Sequence, residues 1–105
     1  MSRNAPNTKE GDQVKLTLDD LKMYARMSAT ERHSEHGKAI RDELNFRMRW
    51  MPIKWRRLVR CRYILRYSAV RTGIEIHVSE RTVRAWTKEI AEWLEDTDKY
   101  LDELT

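Results

Sequence analysis

Apolar residues along this chain recur at intervals of three and four, with little alternation at intervals of two. That is the period of helices, so an all-α domain of about five helices is expected. The first helix begins near Thr17, a capping residue with Asp20 three positions on. It places Leu18, Leu21, Ala25 and Met27 on one face and ends around Ser28. Ser28 or Thr30 opens the next helix. Ile40, Leu44, Met48 and Met51 follow as one stripe, and Phe46 and Trp50, four apart, form a second. Two stripes call for two neighbouring elements or for another copy of the chain. Gly37 bends or delays that helix, so it is not read as secure before Ala39. Pro52 ends it and suits the opening of the next.

From Ile53 to about Tyr67, Trp55, Leu58, Val59, Cys61 and Leu65 share a broad apolar face, with Arg56, Arg57 and Arg60 on the other side. Arg62 falls inside the apolar face by angle, so it snorkels or pairs with an acid. Tyr63, Ile64 and Tyr67 are expected toward the outer side. There they meet a neighbouring helix or a dimer mate, or they lie against nucleic acid.

Residues 69–88 carry the spacing of a helix-turn-helix. Gly73 provides the small residue where two helices cross, and Ile76, Val78, Val83 and Trp86 are the inward apolar positions. Ser79 caps the second helix, and Glu80 suits its positive end. His77 takes the turn position where glycine is usual; it is among the less costly residues there. The outward positions are Ser79, Glu80, Arg81, Arg84, Ala85 and Lys88. From Glu80 onward there is no Gly or Pro, and Val83, Trp86, Ile90, Trp93, Thr97, Tyr100 and Leu104 alternate spacings of three and four, with Leu94 and Leu101 beside them. This heptad seam either buries against residues 18–51 or extends beyond the domain to pair with a second copy, and a homodimer is the favoured expectation. Glu95-Asp96-Thr97-Asp98 weakens the helix and is a candidate place for it to end.

Charge sharpens the picture. The chain of 105 residues is 40% hydrophobic and 36% charged, with a net charge of +4. The cations are unevenly placed: residues 41–71 hold ten Arg or Lys against Asp42 and Glu43, and residues 89–105 hold seven acids against one Lys. Nine of those ten cations are Arg, the residue suited to paired phosphate contacts, which favours nucleic acid as partner. Residues 1–14 read as a disordered N-terminal arm and residues 15–105 as a single domain. No apolar run is long enough to span a membrane, no secretory signal is seen, and the lone Cys61 fits a reducing cytoplasm. His33 and His36 flank Glu35, but a zinc site wants two further ligands, so no metal is assigned. No glycine-rich phosphate loop or nucleophile constellation appears, and neither a cofactor nor an enzymatic activity is expected.

The segment VSERTVRAWTKEIAEWL resembles the recognition half of sigma-factor region 4 and of the small phage transcription regulators that share its fold. The antitermination proteins of the Q type and related late-gene regulators are most similar, with an Arg-rich helix resembling WRRLVRCRYILRY ahead of the motif. The resemblance spans roughly residues 53–94. It departs from the pattern at His77 and in a link to Ser79 about one helical turn shorter. It implies a DNA-binding role in transcription, in a bacterial host cell.

The expectation is a sequence-specific DNA-binding regulator whose second motif helix enters the major groove. Glu80, Arg81, Arg84 and Lys88 would meet base edges, while Ser79, Thr82, Arg56, Arg57 and Arg60 would meet phosphates. Two alternatives stay open: a small terminase subunit for DNA packaging, and an RNA polymerase-interacting protein that uses the motif only as a scaffold.

Overall fold

The computed structural model describes residues 15–104, with side-chain surroundings through residue 97. The expected arm, residues 1–14, lies outside the described residues, as do the side chains of Tyr100, Leu101 and Leu104. The fold is all-α, with no strand among the described residues.

Helix α1 spans Leu18–Arg26. Thr17 caps it as expected: the Asp20 amide donates to Thr17 Oγ1 at 3.2 Å, and the Thr17 amide donates to Asp20 Oδ2 at 3.0 Å. Leu16, just before the cap, and Leu21, one turn in, are both fully buried, the arrangement of a hydrophobic staple. Leu16 and the buried Tyr24 were not among the expected face residues, whereas Leu21 and Met27 were.

Ser28 caps the single turn α2, Ala29–Arg32, through a second capping box with Glu31. The Glu31 carboxylate is held below the ordinary carboxylate range, first by the Ser28 amide and then by the Ser28 hydroxyl. Helix α3 spans Glu35–Met48 with Ser34 as cap, so it starts four residues before Ala39. Gly37 does not delay it. Its missing Cβ leaves room for the α2 backbone, since a Cβ there would stand 2.7 Å from Arg32 Cα.

The first stripe of α3 is buried as read: Ile40, Leu44 and Met51 face the core, with Met48 half-buried. The second is not covered by the described residues, leaving Phe46 41% and Trp50 68% exposed. Between the stripes lies a residue the periodicity did not flag. Arg47 is fully buried; its Nε donates to Glu43 Oε2 at 2.7 Å and its Nη1 to the Leu94 carbonyl at 3.4 Å.

Helix α4 spans Ile53–Val59 and opens after Pro52. It does not continue as α-helix to Tyr67. Residues Arg60–Ile64 form a π-helical turn, closed by the Leu65 amide reaching back to the Arg60 carbonyl at 2.8 Å. The wider turn advances more slowly around the axis. It therefore keeps Tyr63 on the buried side, contrary to the expectation for an α-helix, and turns Leu65 out to 42% exposure. Arg66 then takes a left-handed conformation at φ 66° and stops the segment. Among the described residues Arg62 pairs with no acid; its Nη1 donates to the Tyr67 carbonyl at 3.0 Å. The carbonyls of Ile64 and Tyr63, left over where the helix stops, accept from Arg32 Nη1 and Nη2 at 2.9 and 3.0 Å.

Helix α5, Ala69–Ile76, and helix α6, Glu80–Leu104, complete the chain. Val83, Ile90 and Leu94 are fully buried against α1, α4 and α5. Burying side chains of this kind contributes roughly 1.5–3 kcal/mol each. Helix α6 runs without a break through Glu95-Asp96-Thr97-Asp98, so these residues do not end it. Thr97 Oγ1 donates to the Trp93 carbonyl at 2.7 Å instead of capping a new helix.

Candidate nucleic-acid interface

The site rests on the crossing of α5 and α6. Ser68 caps α5 by accepting from the Arg71 amide at 3.0 Å. At the other end His77 has φ 63° and ψ 44°, the left-handed turn that the motif requires. This turns the Val78 amide back to the Gly73 carbonyl at 2.9 Å. Gly73 is the only kind of residue that fits here, since a Cβ would stand 2.6 Å from the Val78 carbonyl oxygen. Ser79 then starts α6: its Oγ accepts from the Thr82 amide at 3.1 Å and donates to Thr82 Oγ1 at 3.0 Å. Gly73 and Val83 are buried, and Ile76, Val78 and Trp86 are half-buried, so the five inward positions face inward as read.

The other side of the N-terminal half of α6 is exposed among the described residues. Arg81, Arg84, Ala85 and Lys88 are exposed at spacings of three, one and three, which places them on one face opposite Val83 and Ile90. Glu80 joins the edge of that face. Arg84 Nη2 and Nε reach Glu80 Oε2 at 2.6 and 3.0 Å. Both side chains stay well exposed, at 67% for Arg84 and 42% for Glu80. Such a surface pair is weak, so Arg84 can exchange Glu80 for another acceptor at little cost. The Ser79 and Thr82 hydroxyls are engaged with each other and with the helix end, which leaves them less available to an outside group than the arginines.

Arg56 and Arg57 are exposed on α4, and the exposed Arg60, one turn after Arg56, opens the π-helical turn. The structure brings α4 against α6 through apolar and aromatic contacts. Lys54 Nζ lies 4.8 Å from the centre of the Trp86 ring, and Trp55 meets Trp93 edge-on at 6.3 Å. Among the described residues no hydrogen bond or ion pair joins Arg56, Arg57 or Arg60 to a residue of α6. The basic surface is smaller than the count of cations suggests, because Arg47 is buried and Arg62 half-buried.

Arg71 is exposed beside this surface and was not among the expected contacts. It lies in the first turn of α5, with its guanidinium 3.9 Å from the centre of the Tyr67 ring. A cation at the positive end of a helix runs against the dipole, and that placement is a signal the sequence already contains. Cys61 is buried, and burial pushes its thiol above the usual range, with Glu75 adding to the effect. His33 and His36 are exposed at the junction of α2 and α3, and no group of three metal-ligating side chains gathers among the described residues. No helix there is long and apolar enough to cross a membrane. Comparison of the chain with protein-family models, with curated proteins and with solved structures found no match.

Proposed function

We propose that this chain binds double-stranded DNA, with the N-terminal half of α6 in the major groove, and that it regulates transcription. The observation that carries the reading is the α5–α6 crossing. A glycine pressed against a carbonyl and a left-handed turn hold α6 so that Arg81, Arg84 and Lys88 stand on a face that no other described element covers. That is the presentation a recognition helix needs. Arg81 and Arg84 suit guanine edges, and Glu80 suits the amino group of cytosine. Arg56, Arg57 and Arg60 supply the sequence-independent phosphate term. The transcriptional role is supported by the likeness of residues 53–94 to sigma-factor region 4 and the small phage regulators. RNA polymerase is the protein partner that this likeness suggests, and a second copy, joined through the end of α6, is the proposed oligomeric partner.

Binding isotherms on a preferred duplex test the assignment. Arg84→Ala is expected to cost ~1–3 kcal/mol and to relax sequence preference, the usual effect of losing a base contact. Arg57→Ala is expected to weaken all duplexes alike and to flatten the salt dependence. An isotherm unmoved by Arg84→Ala sinks the role of α6. A mass corresponding to a ring of many copies would point to packaging of DNA instead of transcription.

A further inference from the structure

A cleft of about 390 Å³ opens beside α2, the first half of α3 and the residue that stops the π-helical turn. Arg32, Lys38, Arg41 and Arg66 line it together with His33, and the carboxylate on its wall is Asp42. None of the four cations lies within ion-pair distance of a carboxylate among the described residues. Like charges gathered this way repel. The Arg32 guanidinium is held below the ordinary arginine range, first by burial, then by Arg66, with Arg41 a smaller contributor.

Arg32 is not placed to swing away. Its Nε donates to the Tyr24 carbonyl at 3.2 Å, its two terminal nitrogens donate to Ile64 and Tyr63, and its plane lies 4.2 Å from the centre of the Tyr24 ring. Arg41 is tethered through Nε to Asn45 Oδ1 at 3.2 Å and through Nη1 to the Tyr24 hydroxyl at 3.4 Å. Arg66 stands at φ 66°, where glycine is the less costly residue. A cation kept in a left-handed conformation, on the wall of a cleft that already holds three others, combines backbone strain with repulsion. An anion held among them would offset the repulsion.

We propose that this cleft is an anion site that takes a phosphoryl group. Arg66 offers the paired N–H donors that match phosphate oxygens, Arg32 and Arg41 add fixed positive charge with most of their donors already engaged, and Lys38 adds a mobile point charge. The volume lies in the range of small-molecule sites, which leaves room for a phosphoryl group attached to something larger. Two sources share this chemistry: a phosphorylated small molecule and a phosphate of a duplex backbone. Arg66 lies two residues before Ser68, the cap of α5, and the first helix of such a motif crosses the backbone. The duplex source rests on the DNA-binding reading; the site itself does not.

The test is a titration of the full chain with pyrophosphate at low salt, followed by resonance shifts in the backbone amides. Saturable shifts confined to the surroundings of Arg32, Lys38, Arg41 and Arg66 are expected. Arg66→Gly and Lys38→Gln should each weaken binding roughly tenfold, the worth of one charge-assisted hydrogen bond. Arg66→Gly also relieves the backbone, so its melting temperature should equal or exceed that of the parent, and a folding defect will not imitate lost binding. Shifts that never saturate, that spread evenly over Arg56, Arg57, Arg81 and Arg84, or that survive both substitutions overturn the site. If added duplex displaces pyrophosphate, the backbone is the source. If both bind together, the source is a separate phosphorylated ligand. A chain that binds pyrophosphate here but no duplex keeps this site and loses the DNA-binding reading.

Discussion

Gly73→Ala sets two effects of opposite sign against each other at the helix crossing. In an isolated helix the change is favourable, because alanine exceeds glycine in helix propensity by about 0.8–1.0 kcal/mol. Here the added Cβ would stand 2.6 Å from the Val78 carbonyl oxygen and 3.4 Å from the Ser79 carbonyl carbon. Both neighbours are backbone atoms, so a side-chain rotation does not relieve the contact. Moving Val78 away stretches its amide bond to the Gly73 carbonyl, now 2.9 Å, and shifts Ser79 and the start of α6. Overpacking of this kind costs about 1–3 kcal/mol. Because the contacts are with backbone, the cost falls toward the upper end of that range, about 2–3 kcal/mol, and a net loss of roughly 1–2 kcal/mol is expected once the propensity gain is subtracted. For a domain of this size that corresponds to a melting temperature lower by about 5–10 °C. Thermal and urea denaturation followed by circular dichroism measure it, with the urea slope unchanged if only stability has altered. A Gly73→Ala variant that melts at or above the parent temperature refutes the close crossing, and with it the argument for how α6 is presented.

Three further outcomes follow from single residues. His77→Gly removes a Cβ from a left-handed residue, so a gain of roughly 0.5–1 kcal/mol is expected after glycine's larger entropy loss, and a lower urea midpoint contradicts it. Glu43→Gln removes the charged partner of the buried Arg47 Nε, and chemical denaturation should show a loss of about 1.5–3 kcal/mol, the worth of a hydrogen bond between charged groups; an unchanged midpoint would mean that Arg47 does not depend on Glu43. The Glu31 carboxylate should titrate below the ordinary range by NMR and move part of the way back toward it in Ser28→Ala, which removes the hydroxyl but keeps the amide donor. Because its folded value is depressed, its small contribution is present at pH above the unfolded value and lost as pH falls through the folded one, and a titration insensitive to Ser28→Ala contradicts the capping box.

The helical periodicity made much of this fold legible, and particular residues show where it stopped. Thr17, Ser79, Gly73 and His77 were readable because caps, close approaches and left-handed turns each demand specific side chains over a few residues. Ile40, Leu44, Val83 and Ile90 were readable because burial repeats with the helix. Tyr63 and Leu65 were misplaced because a single π-helical turn changes the angle per residue, and nothing in WRRLVRCRYILRY marks where that turn falls. Arg47 and Arg32 were unreadable for another reason. Whether an arginine is solvated or buried depends on acceptors far along the chain, the Leu94 carbonyl for one and the Ile64 and Tyr63 carbonyls for the other. Of the proposed interface, the α6 face was legible as a set, because Arg81, Arg84 and Lys88 lie on one helix. How the α4 arginines sit relative to that face was not, since it depends on packing between helices. The cleft of Arg32, Lys38, Arg41 and Arg66 was invisible for the same reason.

The most direct test of the central claim is selection from a pool of random duplexes by the full chain at low salt, repeated with Arg84→Ala. The account predicts that the parent chain enriches a short common sequence and that Arg84→Ala loses preference at one or two positions of it while still retaining duplex. Failure of the parent chain to enrich any sequence, or an enriched sequence identical for both proteins, would contradict it.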